Sequence, residues 1–327
     1  MKRIHLGLLA ASLLAGACGG DGGKSFGGTG PVSGSFPIDA SNGVAATRQS
    51  YGAVMASGGI AEIGGPVGIA SAPPNGAAIA NQAATPEDLV LNVVSMIPFG
   101  PDVQPCLGGT GTVTMSGDIA VPGTLTAGDF FVIEYDFCDE GAGEVLDGII
   151  TLTVRDFSGD LFLGTYLLGM DADIDTLSVA TGTDTLIADG DATVTLDTMD
   201  APFIASSVTG TRITQSSNAG TETLSSYSSS QTLDGNQDPA EFTMDAAGGL
   251  DSSQLPGSVT YSTESTFRGF VPAYPSEGVL LVRGDNSSAR LVVVDDANVR
   301  VEIDSNGDGV ADDVIDLTWD EFLNSAP

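Results

Sequence analysis

The chain has 327 residues, of which 42% are hydrophobic, and its 43 acidic side chains outnumber ten basic ones to give a formal net charge of −33. This apolar content can fill the core of one large domain or two small ones, whereas a strongly negative field repels nucleic acid and anionic lipid head groups and favours cations. The only histidine is His5, so the chain beyond it can form neither a histidine-dependent catalytic triad nor a histidine-ligated zinc or copper site.

The first 17 residues have the pattern of an export signal. Lys2 and Arg3 precede an apolar run over residues 4–17, which ends in small side chains immediately before Cys18. The run is too short to span a bilayer as a helix of the mature protein. The stretch "GGDGGKS" that follows is not a phosphate-binding loop, because Cys18 stands where such a loop requires its first glycine.

This segment resembles the signal peptide of bacterial lipoproteins. The resemblance implies that Cys18 is lipidated and becomes the new N-terminus. Gly19 follows it where an aspartate would retain the protein at the inner membrane, so the resemblance also implies sorting to the outer membrane. An ordinary secretory signal, cleaved near Ala17, is the alternative. Both interpretations predict that the chain leaves the cytoplasm.

Composition divides the rest of the chain into three regions. Residues 18–40 are rich in glycine and serine and predict a flexible tether. Residues 41–109 predict one or two short helices within irregular chain: one from Ser41 to Gly58 and Gly59, and one over "ATPEDLVLNVVSMIP", where Thr85 caps and Pro98 ends the helix. Residues 110–327 predict an antiparallel β domain that includes an acidic loop at 304–313.

The β prediction rests on a hydrophobic period of two. In "DFFVIEYDFC" one face carries Phe131, Ile133, Tyr135 and Phe137, and the other carries Val132, Glu134, Asp136 and Cys138. Further segments of this kind, separated by turn sequences such as "DGNQDP" and "GDNSS", predict roughly ten to twelve strands. The fold class is therefore mainly β, an antiparallel meander forming a large curved sheet, a sandwich or an incomplete barrel. The segment "TETLSSYSSSQTL" has no strongly apolar face and favours an edge strand.

Cys106 and Cys138 are the two cysteines that remain after Cys18 is assigned to lipid. In an oxidising envelope two remaining cysteines predict one disulfide. A thiol nucleophile is the alternative, although it would lack the histidine partner that usually activates it.

Near the C-terminus, "VEIDSNGDGVADDVID" has the spacing of a calcium loop. Carboxylates alternate with small residues, and Gly309 stands where such loops turn sharply. The segment resembles the acidic loops of thrombospondin type-3 repeats, dockerins and other extracellular EF-hand-like loops. The ligand set implied is Asp304, Asn306, Asp308, the carbonyl of Val310, and Asp312. The twelfth position holds Ile315 in place of an acidic ligand, and Asp313 and Asp316 are the nearest acids.

A calcium ion (Ca2+) in this loop is expected to bind with the weak affinity of extracellular modules, about 10⁻⁴ to 10⁻³ M. The other interpretation is a solvated Asp-Gly turn that binds nothing specifically. The segment "LTWDEFL" that follows predicts a short C-terminal helix. A capping box from Thr318 to Glu321 would begin it, and Trp319 and Phe322 would pack on the sheet.

These features together resemble bacterial lipoproteins of this layout, which implies a cell-envelope location, held at the membrane by the N-terminal lipid. We expect a non-enzymatic structural or adhesive protein, whose partner would be a surface protein or a polysaccharide rather than nucleic acid. A carrier of a lipid or another apolar ligand is the second hypothesis, because some lipid chaperones resemble a curved open sheet with an apolar concave face. A carboxylate-dependent hydrolase is the third.

Overall fold

The computed structural model describes residues 34–61, 101–106, 108–120, 124–139, 144–160, 163–181, 184–218 and 220–324. The signal segment with Cys18 and the helix predicted from Thr85 to Pro98 lie outside the described residues. The strands form one sheet in which each pairs antiparallel with the next along the chain, from β1 to β14. The mainly β meander expected from the sequence is thus confirmed. The sheet is not closed, because β1 and β14 each pair with one neighbour among the described strands.

The fourteen strands occupy most of the described chain after residue 101. The first seven are β1 (Asp102–Pro105), β2 (Thr112–Asp118), β3 (Phe130–Asp139), β4 (Glu144–Asp160), β5 (Thr165–Thr181), β6 (Asp184–Asp197) and β7 (Phe203–Ser217). The second seven are β8 (Gly220–Asp234), β9 (Glu241–Ser252), β10 (Ser258–Phe270), β11 (Pro275–Arg283), β12 (Ser288–Val293), β13 (Asn298–Asp304) and β14 (Asp313–Thr318). The sheet begins at Asp102, earlier than the change of period at residue 110 predicts.

One face of the sheet is apolar and the other is polar. On β5, Met170, Ala172 and Ile174 are buried, while the residues between them, Asp171 and Asp173, are exposed. The cross-strand register continues this alternation from β2 to β14, so that the buried side chains form one continuous core. We call the apolar side the inner face and the polar side the outer face.

Helix α1 (Gly43–Ala61) covers the inner face over the second half of the sheet. It contacts β6–β9 and β11–β13, and its side chains at Tyr51 and Val54 are buried. Its buried hydroxyls at Thr47 and Ser57 donate to carbonyls of the helix itself, at 2.7 and 2.8 Å, which satisfies polar groups that water cannot reach. The helix continues through Gly58 and Gly59, where the sequence predicted its end, and ends at Ala61.

The short helix α2 (Trp319–Asn324) follows β14. Its predicted capping box is present: Thr318 Oγ1 accepts from the Glu321 amide at 3.1 Å, and Glu321 accepts from the Thr318 amide at 2.9 Å. The Trp319 side chain is buried, with its ring 5.1 Å from that of Tyr51 and 5.1 Å from that of Tyr274. The last helix therefore closes the core against α1.

Two of the β-bulges correct predictions about which residues face inward. At Phe137, which has φ of 44°, the register between β3 and β4 shifts. Phe137 is therefore 66% exposed, and Cys138 faces inward. This corrects the prediction that Phe137 shares a face with Phe131 and Tyr135. An extra residue in one strand reverses the alternation beyond it.

The second bulge corrects the assignment of "TETLSSYSSSQTL" as an edge strand. That segment is β8, which lies in the middle of the sheet between β7 and β9. Ser226 has φ of 46°, and the register with β9 shifts there, so Leu224 and Tyr227 both face inward and are buried. Without the bulge these two side chains would lie on opposite faces, as the simple alternation predicted.

The sheet has two ends that differ in what they carry. Residues 34–39 are hydrogen-bonded to one end of the sheet, which we call the near end. There the Ser258 amide donates to the Gly34 carbonyl and the Asp285 amide donates to the Phe36 carbonyl, both at 2.8 Å. The near end also carries the turns at 253–257 and 284–287 and the acidic loop. The far end carries the turns at 198–202, 235–240, 271–274 and 294–297.

Candidate functional site

The acidic loop joins β13 to β14 at the near end of the sheet. Gly307 has φ of 75°, and a Cβ atom there would lie 2.7 Å from the carbonyl oxygen of Asn286 in the neighbouring turn. A residue with a side chain would therefore be both strained and obstructed at this position. This close contact packs the loop against the turn at 284–287. Residues 34–39 are also hydrogen-bonded to that turn.

Asp304 is the centre of the loop. Its side chain is buried, and its two carboxylate oxygens accept hydrogen bonds from the Gly307 amide at 2.7 Å and the Gly309 amide at 2.8 Å. Burial alone would raise the pKa of this carboxyl group, but the amides that donate to it outweigh burial and hold the pKa below its ordinary value. Asp304 is therefore ionised at neutral pH and organises the turn from inside.

The side chains of Asn306, Asp308 and Asp312 also accept hydrogen bonds within the loop. The Asn306 side-chain oxygen accepts from the Asp308 amide, and the Asp308 carboxylate accepts from the Val310 amide, both at 2.9 Å. The Asp312 carboxylate accepts from the Ser305 hydroxyl at 2.6 Å. These contacts form a chain of side-chain turns in which each acidic group binds a nearby donor of the protein.

The fit to calcium is partial. Within the ranges that the structure describes, no group of three or more acidic or sulfur side chains converges closely enough to hold a metal ion. Of the two candidates for the missing ligand, Asp313 begins β14, and Asp316 forms an ion pair with Arg300 at 2.7 Å. Val310 is 66% exposed. The spacing of the loop thus brings the predicted residues into one turn, while their carboxylates point to amides and hydroxyls of the chain.

A disulfide joins Cys106 to Cys138, with their Cα atoms 5.4 Å apart. Both half-cystines are buried. Cys106 follows β1, and Cys138 lies next to the bulge in β3 that turns it inward. The bond therefore ties the first strand of the sheet to the third.

The outer face carries groups that sequence reasoning did not single out. Threonine and serine hydroxyls on neighbouring strands are hydrogen-bonded in pairs, such as Thr214 with Thr223 at 3.1 Å and Thr232 with Thr243 at 2.6 Å. At the far end, the register places Phe203, Asp234, Glu241 and Phe270 in one line across β7–β10. These four residues come from four strands. Predicting that they lie side by side would therefore require the register of the sheet.

Glu222 was also missed by sequence reasoning. It lies on the inner face near the near end, opposite Gln215 on β7 and Ser252 on β9. Burial raises the pKa of its carboxyl group to about 7, although the Ser252 hydroxyl, at 3.4 Å, acts in the opposite direction. Glu222 is thus a partly buried acid that titrates near neutral pH.

Comparison of the chain with protein-family models, with curated proteins and with solved structures gave no significant match. Neither of the two described helices combines the length and apolar character needed to cross a membrane.

Proposed function

We propose that this chain is a lipid-anchored, non-enzymatic protein of the bacterial cell envelope with a structural or adhesive role. The observation that carries this proposal is the contrast between the two faces of the sheet. The inner face is filled by apolar side chains in one continuous core, and the outer face presents carboxylates and hydroxyls to solvent. A sheet of this kind offers an extended polar surface to other molecules.

The position of residues 34–39 supports an anchored arrangement. They are bonded to the start of β10 and to the turn at 284–287, and the Ile38 amide donates to the Ser287 hydroxyl at 2.6 Å. A lipid on Cys18 would therefore attach the sheet to the membrane through its near end. The lipobox-like sequence and Gly19 support the outer membrane as the location.

The burial of the inner face favours this role over that of a carrier. Phe131 and Tyr135, on the face that would hold an acyl chain, are 7% and 3% exposed. The same holds on the neighbouring strand β4, where Leu146 and Val154 are buried. A carrier would need an apolar surface that a ligand can reach.

Calcium is part of the proposal as a ligand of the acidic loop. An ion there would take Asp304, Asp308 and Asp312 as its carboxylate ligands, and these groups would exchange part of their bonds to amides for bonds to the ion. Its role would be to fasten β14 and α2 to the sheet, because the loop is their only covalent connection to β13.

The anchor is tested by metabolic labelling with an alkyne fatty acid in a Gram-negative host that expresses the full-length chain. The proposal predicts that the wild-type protein is labelled and fractionates with outer membranes, whereas Cys18→Ser is unlabelled. Cys106→Ser, which removes a cysteine outside the lipobox, should be labelled like the wild type. A wild-type protein that is exported without label would overturn the lipid anchor and leave the ordinary secretory signal.

A further inference from the structure

Four side chains form a line across the outer face at the far end. Phe203 on β7 lies opposite Asp234 on β8, Asp234 lies opposite Glu241 on β9, and Glu241 lies opposite Phe270 on β10. Neighbouring strands are about 4.8 Å apart, so the two aromatic residues are separated by about 14 Å. Two carboxylates thus lie between two aromatic rings. We call this line the far-end row.

The aromatic residues of the far-end row are not needed by the core. Phe203 is 40% exposed and Phe270 is 42% exposed, whereas their inward-facing neighbours Ile204 and Phe242 pack in the core. Two more apolar side chains are exposed in turns of the same end, Leu163 at 75% and Met199 at 49%. Exposed aromatic side chains beside polar groups are typical of a contact surface.

The charges of the far-end row are only partly balanced. Arg268 is shared between Glu241, at 3.5 Å, and Glu277, at 3.4 Å. Asp234 accepts from the backbone and side-chain amides of Asn236, both at 2.9 Å, and no arginine in the described part of the chain forms an ion pair with it. The neighbouring turn adds Asp238. The surface is therefore acidic as well as aromatic.

We infer that the far-end row is a docking surface for a basic segment of another protein, whose arginine or lysine side chains pair with Asp234 and Glu241 and lie against Phe203 and Phe270. A guanidinium group can accept both kinds of contact at once, since it bonds carboxylates with its edge and stacks on aromatic rings with its face. The span of about 14 Å corresponds to about four residues of extended chain. The excess of acidic groups makes a cationic partner the complementary one.

This inference rests on the proposed adhesive role, since it assigns a partner class to the outer face. Its position agrees with that role, because residues 34–39 join the sheet at the opposite end. The test uses purified protein and does not require the lipid. A negative result would remove the docking surface without affecting the labelling result for Cys18.

The probe is a fluorescein-labelled peptide of alternating arginine and glycine, and its binding is measured by fluorescence anisotropy at about 0.15 M salt to screen distant charges. Phe203→Ser with Phe270→Ser leaves the protein's charge unchanged and should weaken binding about fivefold to tenfold, as expected for the loss of two cation–π contacts. Asp234→Asn with Glu241→Gln should weaken it as well. Circular dichroism of each variant checks that the sheet is intact.

The matched control is Asp171→Asn with Asp173→Asn, which removes the same charge from exposed positions of β5 on the same face. This control should change the affinity by less than about twofold, because both positions lie outside the far-end row. Equal losses from both acidic pairs, or no loss from the phenylalanine pair, would show that the peptide responds only to net charge and would overturn the inference. Hydrogen exchange provides a second measurement: the bound peptide should protect the amides of the turns at 235–240 and 271–274.

Discussion

Asp173 on β5 lies directly opposite Asp191 on β6, and both side chains are on the outer face of the sheet. Like charges placed opposite each other on neighbouring strands destabilise a sheet. Asp191 is compensated, because its carboxylate accepts from the Thr211 amide at 2.9 Å and from the Arg212 amide at 3.2 Å. Burial would raise its pKa, but the hydrogen bonds from Thr211 and Arg212 outweigh burial and lower it. Removing the charge of Asp173 therefore relieves the repulsion and leaves the hydrogen bonds of Asp191 intact.

Asp173→Asn is expected to stabilise the protein by a few tenths of a kcal/mol, because it removes the repulsion and no hydrogen bond of Asp191. Asp191→Asn removes the same charge but weakens the bonds to Thr211 and Arg212, and should lower the stability. Urea unfolding at low and at high salt measures both changes. The gain from Asp173→Asn should shrink as salt screens the two carboxylates; a gain that is independent of salt would contradict this explanation.

Glu222 predicts a dependence of stability on pH. Its pKa rises from an ordinary 4.5 to about 7 in the folded protein, so between these values the folded chain binds a proton that the unfolded chain has released. The contribution of Glu222 to the free energy of unfolding is therefore lost as the pH rises from about 5 to 8, by about 1–3 kcal/mol.

Glu222→Gln should remove that dependence and make the protein more stable than the wild type at pH 8, which thermal unfolding across a pH series would show. Glu134→Gln makes the same chemical change at an exposed position of β3 and is the matched control for the substitution. If the two variants gave the same profile, burial of Glu222 would not be the cause.

The disulfide predicts a loss of stability on reduction. Replacing Cys106 and Cys138 by serine opens a loop with a sequence separation of 32, and should reduce the free energy of unfolding by about 3.7 kcal/mol in the chain-entropy model. Guanidinium unfolding of the double variant measures the loss. Adding reductant should destabilise the wild type by a similar amount and have no effect on the variant, which separates the bond from the packing of the two side chains.

The acidic loop predicts a response to calcium that depends on Asp308. Tenfold excess of Ca2+ over its dissociation constant should stabilise the protein by about 1.4 kcal/mol, seen as a higher midpoint of thermal unfolding. Asp308→Asn keeps an oxygen that can accept from the Val310 amide but loses the charge, and should lose most of the calcium response. Magnesium at the same concentration controls for screening. An equal response in Asp308→Asn would place the ion elsewhere.

The sequence predicted the fold well wherever the period of two was uninterrupted. Phe131, Ile133 and Tyr135 face inward together, as expected, until the bulge at Phe137 reverses the order. The bulge at Ser226 caused the same error in β8, which was predicted to be an edge strand although it lies in the middle of the sheet. A bulge at a non-glycine residue has no local sequence signal, because tertiary pairing imposes its positive φ.

The candidate sites were predictable to different degrees. The spacing of the acidic loop identified its members, because they lie close together in sequence. It did not identify Asp304 as the acceptor of the Gly307 and Gly309 amides, since the spacing suits both a metal ligand and a turn former. The far-end row could not be predicted, because its alignment depends on the register of three successive hairpins.

The proposal that the inner face serves as a filled core rather than as a ligand site is tested most directly by native mass spectrometry. The chain from residue 26 to residue 327 would be secreted through an ordinary signal and purified without detergent. We expect the mass of the polypeptide with one disulfide, with or without calcium, and no other bound molecule. A heterogeneous apolar ligand that remains bound to the folded protein would contradict it and make the inner face of β2–β5 a carrier site.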